Sequence, residues 1–142
     1  MSKPLRLLAQ DSDDVPVISA LVQDAVVRPS EVCLDQKHRR FVLLMNRFQW
    51  EEAATEPRRV RTALRIEGVM KAARKGWPAA ADQDAVLELL AVTVTPGEDG
   101  AATLDLDFAG PAAVRLEVEC VEIALEDLTD SWPARAKPVH KA

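Results

Sequence analysis

Hydrophobic positions along the chain change their period several times, and each change predicts an element. Leu5, Leu7 and Ala9 alternate with Arg6 and Leu8 before Asp11-Ser12-Asp13-Asp14 interrupts them, which predicts a short strand followed by a helix start. Asp13 is the expected N-cap, Asp14 suits the positive end of the helix dipole, and Pro16 falls in the first turn, where its missing N–H does no harm. Val17, Ile18, Leu21, Val22 and Ala25 recur at helical spacing with Ser19, Gln23 and Asp24 on the other face, so an amphipathic helix is expected over residues 13–27, ended by Arg28-Pro29.

From residue 31 the period becomes two. Glu31 to Leu34, the polar turn Asp35 to Arg39, and Phe41 to Trp50 predict a hairpin whose second strand is apolar on both parities and therefore covered on both faces. After the polar connection Glu51 to Pro57, the residues Val60, Thr62, Leu64 and Ile66 alternate with Arg59, Arg61, Ala63, Arg65 and Glu67. This is the clearest strand signal in the chain, with an apolar inner face and Arg59, Arg61 and Arg65 in a row outside. Val69 to Lys75 is expected to continue that strand past a kink at Gly68.

Gly76 to Ala81 reads as a loop, Asp84 to Thr95 as a strand or a helical turn feeding one, and Pro96 to Gly100 as a turn. Leu104, Leu106 and Phe108, then Val114, Leu116, Val118 and Cys120, alternate with polar residues and predict a hairpin with an acidic solvent face. Ala124 to Asp130 is expected to form a short helix and residues 133–142 a flexible tail. The fold class that follows is α+β in one domain spanning residues 1–142. It is a single curved, mainly antiparallel sheet of about six to seven strands with the N-terminal helix packed on it, because most connections are too short for parallel crossovers. The alternative is a small barrel of the pleckstrin-homology kind.

Composition sets the class of molecule. At 142 residues, 48% apolar and 29% charged, the chain has the make-up of an ordinary globular protein with a sizeable core. Its apolar runs are too short for a membrane helix, and the N-terminus lacks the pattern of a signal peptide, so no membrane association and a cytoplasmic location are expected. The net charge of −5 hides a split, with eleven basic and five acidic side chains in residues 35–75 but one basic and thirteen acidic in residues 76–131. That split predicts one positive and one negative region, while the acidic balance disfavours general nucleic-acid binding. Arginine outnumbers lysine, tyrosine is absent and alanine is abundant, a bias of GC-rich genomes that reduces the weight of arginine richness as a functional signal.

Candidate chemistry is sparse. His38 lies in a turn near Cys33 and Asp35, but a zinc site takes three or four ligands at fixed spacing, so a solvated turn histidine is the better reading and no metal or other cofactor is indicated. Cys33 and Cys120 cannot make a disulfide framework, and their apolar neighbours suggest core packing. Asp105, Asp107, Glu117 and Glu119 could in principle supply an acid–base pair, yet alternating acids on a strand face more often discourage edge pairing. No phosphate-binding glycine loop, nucleophile elbow or HExxH motif occurs, so the sequence does not read as an enzyme. The sharpest positive signal is basic. Arg58, Arg59, Arg61 and Arg65, joined by Arg39, Arg40 and Arg47 of the preceding hairpin, would form a guanidinium surface able to grip phosphate or carboxylate, against the plainer reading of a solvated strand face. Trp77 and Trp132, each followed by proline, could anchor a partner or cap the core.

The stretches LRLLAQDSDDVPVISALVQDAVV, RRFVLLMNRFQWE, RVRTALRIEGV and AVRLEVECVEIALEDL together resemble an uncharacterised family of small alphaproteobacterial proteins, a domain of unknown function of about this length. The resemblance covers nearly the whole chain. It implies a bacterial cytosolic setting and carries no catalytic residue, cofactor or substrate. The expected function is a noncatalytic protein-binding or scaffold module, working through the face of Arg59, Arg61 and Arg65 or the tryptophan loops. The alternatives are a nucleic-acid or phosphometabolite binder through the same arginines, and a small enzyme of unknown class. The alternation over residues 102–120 also makes a direct prediction. Val118→Asp buries an unpaired charge and should destabilise by roughly 4 kcal/mol or more in denaturant titration, whereas Glu117→Lys should leave the melting temperature nearly unchanged.

Overall fold

The computed structural model describes residues 4–52, 56–82 and 84–134. Strand β1 (Arg6–Ala9) leads into a 3-10 turn and helix α1 (Val15–Val22). Asp11, not Asp13, provides the cap, its carboxylate accepting from the backbone N–H groups of Asp13 at 2.9 Å and Asp14 at 3.2 Å. The helix stops five residues before the expected end at residue 27. Asp24 takes a left-handed conformation (φ 64°), which ends the helical path, and Ala25–Val27 becomes strand β2. Val22 and Ala25 fit a helical stripe, but a three-residue strand buried at its first and third positions fits the same letters.

The hairpin of β3 (Val32–Asp35) and β4 (Arg40–Phe48) forms as expected, and β5 (Arg58–Ile66) buries Val60, Thr62, Leu64 and Ile66 on one face. β6 (Val69–Lys75), β7 (Leu87–Pro96), β8 (Ala102–Phe108) and β9 (Ala113–Val118) follow. The segment expected to close the chain as a helix is instead strand β10 (Ile123–Asp127), inserted between β1 and β5. Its inward positions are Ile123, Leu125 and Asp127, so a buried acid sits where the alternation called for an apolar residue. Trp132–Pro133 forms a last strand, β11, on β5, so Pro133 is not part of a tail, and the rest of the tail expected over residues 133–142 lies, from residue 135 on, outside the described residues.

The architecture is a mostly antiparallel sheet with one short helix, broadly α+β, and the sheet is open, so the closed barrel is not formed. Among the described residues it has eleven strands, not six or seven, because β2, β10 and β11 were hidden and β5 and β6 are separate strands. The hydrogen-bonded order is β1-β10-β5-β4-β2-β7-β8-β9-β6, with β3 beside β4 and β11 beside β5. β5 and β6 are joined by Glu67 and Gly68 alone, yet six inter-strand steps separate them in that order. A flat sheet would set them roughly 29 Å apart at about 4.8 Å per step. The chain from Ile66 to Val69 can span only about 11 Å. The sheet must therefore roll back on itself. Gly68, at φ +69°, makes the corner, and its carbonyl accepts from the N–H of Glu119 at 3.0 Å.

The rolled sheet encloses one cluster of buried side chains, including Phe41, Leu43, Met45, Leu64, Leu89, Leu104, Leu116 and Ile123, with Ile18 and Val22 of α1 packed in. Two opposite charges lie on the same inner face. Arg47 is fully buried, and its guanidinium donates to both carboxylate oxygens of Asp127 at 3.1 Å and to those of Glu51 at 2.9 Å. Asp127 also accepts from the Thr62 hydroxyl at 2.8 Å and the Leu5 N–H at 2.9 Å. Burial would lower the Arg47 pKa, but the Glu51 and Asp127 carboxylates outweigh it and hold the pKa above the ordinary arginine value. Burial would raise the Glu51 pKa, and the Arg47 hydrogen bonds outweigh it and hold the pKa below 4.5.

Breaking this cluster from one side strands a buried charge. Arg47→Ala should cost about 3–5 kcal/mol in denaturant titration, and Arg47→Met combined with Asp127→Asn should cost less than the sum of the two single changes. Because the Glu51 pKa is depressed on folding, its contribution to stability is present above pH 4.5 and is lost as pH falls through the lower folded value. The melting temperature should accordingly fall with acidification below pH 4.5, and Glu51→Gln should flatten that part of the profile.

Candidate functional site

The arginine row is real in geometry. Arg59, Arg61 and Arg65 share the outer face of β5, and Arg40 joins them from the matching parity of β4. Each guanidinium, however, is met by an acceptor of the chain itself. Glu67 takes both Arg40 at 2.7 Å and Arg65 at 3.0 Å, and Glu31 and the Asn46 side-chain oxygen take Arg61. Arg59 donates to the carbonyl oxygens of Asn46 at 3.0 Å and Asp24 at 3.4 Å while lying over the Phe48 ring. Burial pulls its pKa below the ordinary arginine value, opposed by the Asp24 and Glu88 carboxylates.

The remaining arginines lie elsewhere. Arg58 has the opposite parity to Arg59 and donates to Ser131, Arg39 stands in the β3–β4 turn and pairs with Glu119 at 3.3 Å, and Arg47 is in the core. The expected division into a positive and a negative region is likewise undone by topology. Basic β5 pairs with acidic β10, and basic β6 pairs with β9, which carries Arg115 and Glu117 and is followed by Glu119, so the two blocks interleave.

Aromatic side chains are arranged differently from one another. Phe48 is fully buried on the outer face beneath Trp50, whose ring centroid lies 4.6 Å away, and Arg59. Trp77 packs edge-on against Phe108 at 5.6 Å, and the Arg74 guanidinium sits 5.5 Å from its ring centroid. Gly76 makes this possible. At φ +61° it ends β6 so closely against Pro111 that a Cβ would stand 2.2 Å from the Pro111 carbonyl oxygen. The chain therefore turns at once, and Trp77 is set beside the last residues of β6.

Val69–Lys75 is a strand, as expected, but its place at the edge, separate from β5, is what the sequence did not disclose. It ends the strand order, pairing with β9 alone, and every residue from Met70 to Lys75 is exposed. The segment from β2 to β3 lies across from it. At one end the Val69 N–H donates to the Arg39 carbonyl at 2.9 Å, and beyond that contact two cavities open between the segments. One, of about 360 Å³, lies between Leu34 and Arg39 on one side and Met70 and Lys71 on the other. The second, of about 550 Å³, is lined by Arg28, Pro29, Arg74, Trp77 and one acid, Asp82. Among the described residues Arg28, Arg74 and Lys75 have no ion-pair partner, whereas Lys71 reaches Glu117 at 3.9 Å. The usable signal in the sequence was the loss of alternation in Val69-Met70-Lys71-Ala72-Ala73-Arg74-Lys75, which marks a strand covered on neither face.

The other candidates resolve simply. His38 is exposed, with its Nδ1 2.7 Å from the Asp35 carboxylate, and that contact holds the Asp35 pKa below 3.8. Cys33 and Cys120 are exposed, contrary to the expected core packing, because β3 is an edge strand and Cys120 falls in the bend after β9. Asp105 pairs with Arg115 at 2.7 Å. Among the described residues no helix is long and apolar enough to cross a membrane.

Comparison with known proteins agrees with the resemblance carried by the sequence. No curated protein and no solved structure matches the chain. One family model does, over residues 5–140, and so takes in the helix, the arginine row and the β6 edge together. The chain belongs to the family described as protein of unknown function (DUF2948).

Proposed function

We propose that this chain is a noncatalytic protein-binding module of the bacterial cytosol that engages its partner along β6 and Trp77, and not through the arginine row of β5. The observation that supports this most is the contrast between the two basic surfaces. The β5 guanidinium groups are already held by Glu31, Glu67 and backbone carbonyls, and an incoming anion would have to displace those contacts. Arg28 and Arg74 have no such partner and stand beside a half-buried tryptophan, a side chain enriched at binding hot spots.

An enzymatic reading finds less support. The groove between α1 and β7, about 550 Å³, is lined by residues such as Val15, Ser19, Gln23, Leu90 and Val92 and offers no ionisable group. The shallow cavity of about 380 Å³ over β6, β9 and β8 is lined by the carboxylates Asp105, already paired with Arg115, and Asp107, together with Arg74 and Lys75. The first offers Ser19 without an ionisable group beside it, and the second has no serine, cysteine or histidine among its described lining residues.

Affinity capture from the native cells, quantified by mass spectrometry, tests the assignment. Met70→Asp with Arg74→Glu should remove the captured proteins, and Arg61→Gln with Arg65→Gln should retain them. Loss with the β5 pair and retention with the β6 pair would place the interface on the arginine row. Capture that is dominated by RNA and falls steeply with added salt would replace the protein-binding reading with nucleic-acid binding.

A further inference from the structure

We propose that the β6 edge takes up an extended, acidic segment of a partner protein as an added strand, seated in the opening between β6 and the β2–β3 segment. This rests on the protein-binding reading and adds the partner's conformation and charge. Three observations carry it. The first is backbone chemistry. An edge strand presents a row of N–H and C=O groups with no partner, and an incoming strand satisfies them by main-chain hydrogen bonds without requiring a particular sequence. Among the described residues β6 pairs with β9 on one side only, and on the other side the contact between Val69 and Arg39 closes one end of the opening and no described strand pairs with the rest.

The second is the shape and lining of that opening. Lysines on an edge strand commonly serve only to repel other edges, and Lys71 and Lys75 could do that alone. A guarded edge has no use for exposed apolar side chains beside the charges, yet Met70 is 55% exposed and Leu34, facing it across the opening, is 37% exposed. Together with Trp77 at the far end they offer apolar contact for alternate side chains of an inserted strand.

The third is charge. Arg28, Arg74 and Lys75 have no ion-pair partner among the described residues, Arg39 and Lys71 at the other end are paired with Glu119 and Glu117, and among the described residues Asp82 is the one acid lining the two cavities. An acidic strand meets attraction at the end where Arg28, Arg74 and Lys75 stand, and a basic one meets repulsion there. The same arrangement disfavours a second copy of this chain joined β6 to β6, since that would bring Lys71, Arg74 and Lys75 of both copies together.

A phage-displayed library of random segments about eight residues long, the length of a typical strand, provides the probe. Selection on the folded protein should enrich segments that carry Asp or Glu at alternate positions and lack central proline. The most enriched peptide, made synthetically, should shift the amide resonances of residues 69–75 and 32–36 in a heteronuclear NMR titration. N-methylation of its alternate backbone nitrogens, and separately Lys71→Glu with Arg74→Glu in the protein, should each weaken binding by at least about tenfold. These two side chains are exposed, and circular dichroism of the variant should match the parent. No enrichment, enrichment of basic or proline-rich segments, affinity indifferent to N-methylation, or shifts confined to α1 or the β5 face would each overturn strand addition. A single-stranded oligonucleotide that displaces the selected peptide would overturn it in favour of nucleic acid. Should the cellular partners still be lost on changing Met70 and Arg74 while the peptide result is negative, the protein-binding reading stands and only its extended-strand form falls.

Discussion

Two residues, Glu67 and Gly68, have to connect strands that the hydrogen-bonded order places at nearly opposite ends of the sheet. That covalent constraint decides the shape of the molecule. No flat sheet can satisfy it, and the natural right-handed twist of strands supplies the curvature. Val118 to Ile123, four residues from the end of β9 to the start of β10, makes the companion corner, so the ribbon of β5 with β10 passes into the ribbon of β6 with β9. Once the sheet is rolled, a single apolar interior forms and α1 packs into it. The roll stops short of closure, because the short β3 hairpin strand and the bulged edge of β6 approach at Arg39 and Val69 and then part. The opening is thus a consequence of the topology, and the exposed residues along it are those the rest of the sheet does not need.

Electrostatics follow the same logic. The sequence carries its positive and negative charges in separate blocks, and antiparallel pairing of distant strands mixes them. Arg6 meets Glu126, Arg39 meets Glu119 and Lys71 meets Glu117, while Arg40 and Arg65 meet Glu67, an acid of their own block. Exposed pairs of this kind contribute little to stability. Their effect is on recognition, since a guanidinium that already shares a carboxylate offers little to a new one. The buried cluster of Arg47, Asp127, Glu51 and Thr62 is different. With every strong hydrogen-bonding group satisfied, it fixes the register of β4, β5 and β10 relative to one another, since a one-residue slip would turn a charge to the wrong face.

Period-two alternation made β5, β8 and β9 readable, down to which parity is buried, because each has one covered and one solvated face. Membership of a domain family of unknown function was also legible, in stretches spread over nearly the whole chain, although which family was not. What escaped detection had a physical reason in each case. Ala25–Val27 is too short to reveal a period, and β10 was disguised by Asp127, a carboxylate at an inward position whose counter-charge, Arg47, lies 80 residues away. Two opposite charges at inward positions of alternating runs were the available clue to that pair. The arginine row was placed on the correct face, and Glu67 beside Arg65 was in the same alternating run, but the pairing of Glu67 with Arg40 and of Glu31 with Arg61 depends on tertiary structure that no local pattern carries. β6 showed no alternation because it has no covered face, and that absence is the mark of the edge.

Residue-resolved amide hydrogen exchange of the free protein tests the open edge most directly. Along Ala72–Lys75 the account predicts alternating behaviour, with slow exchange for N–H groups directed at β9 and fast exchange for those directed at the opening, since antiparallel pairing engages alternate residues. Uniform slow exchange along β6 would show that β3 or another segment already occupies the edge, and would contradict the account.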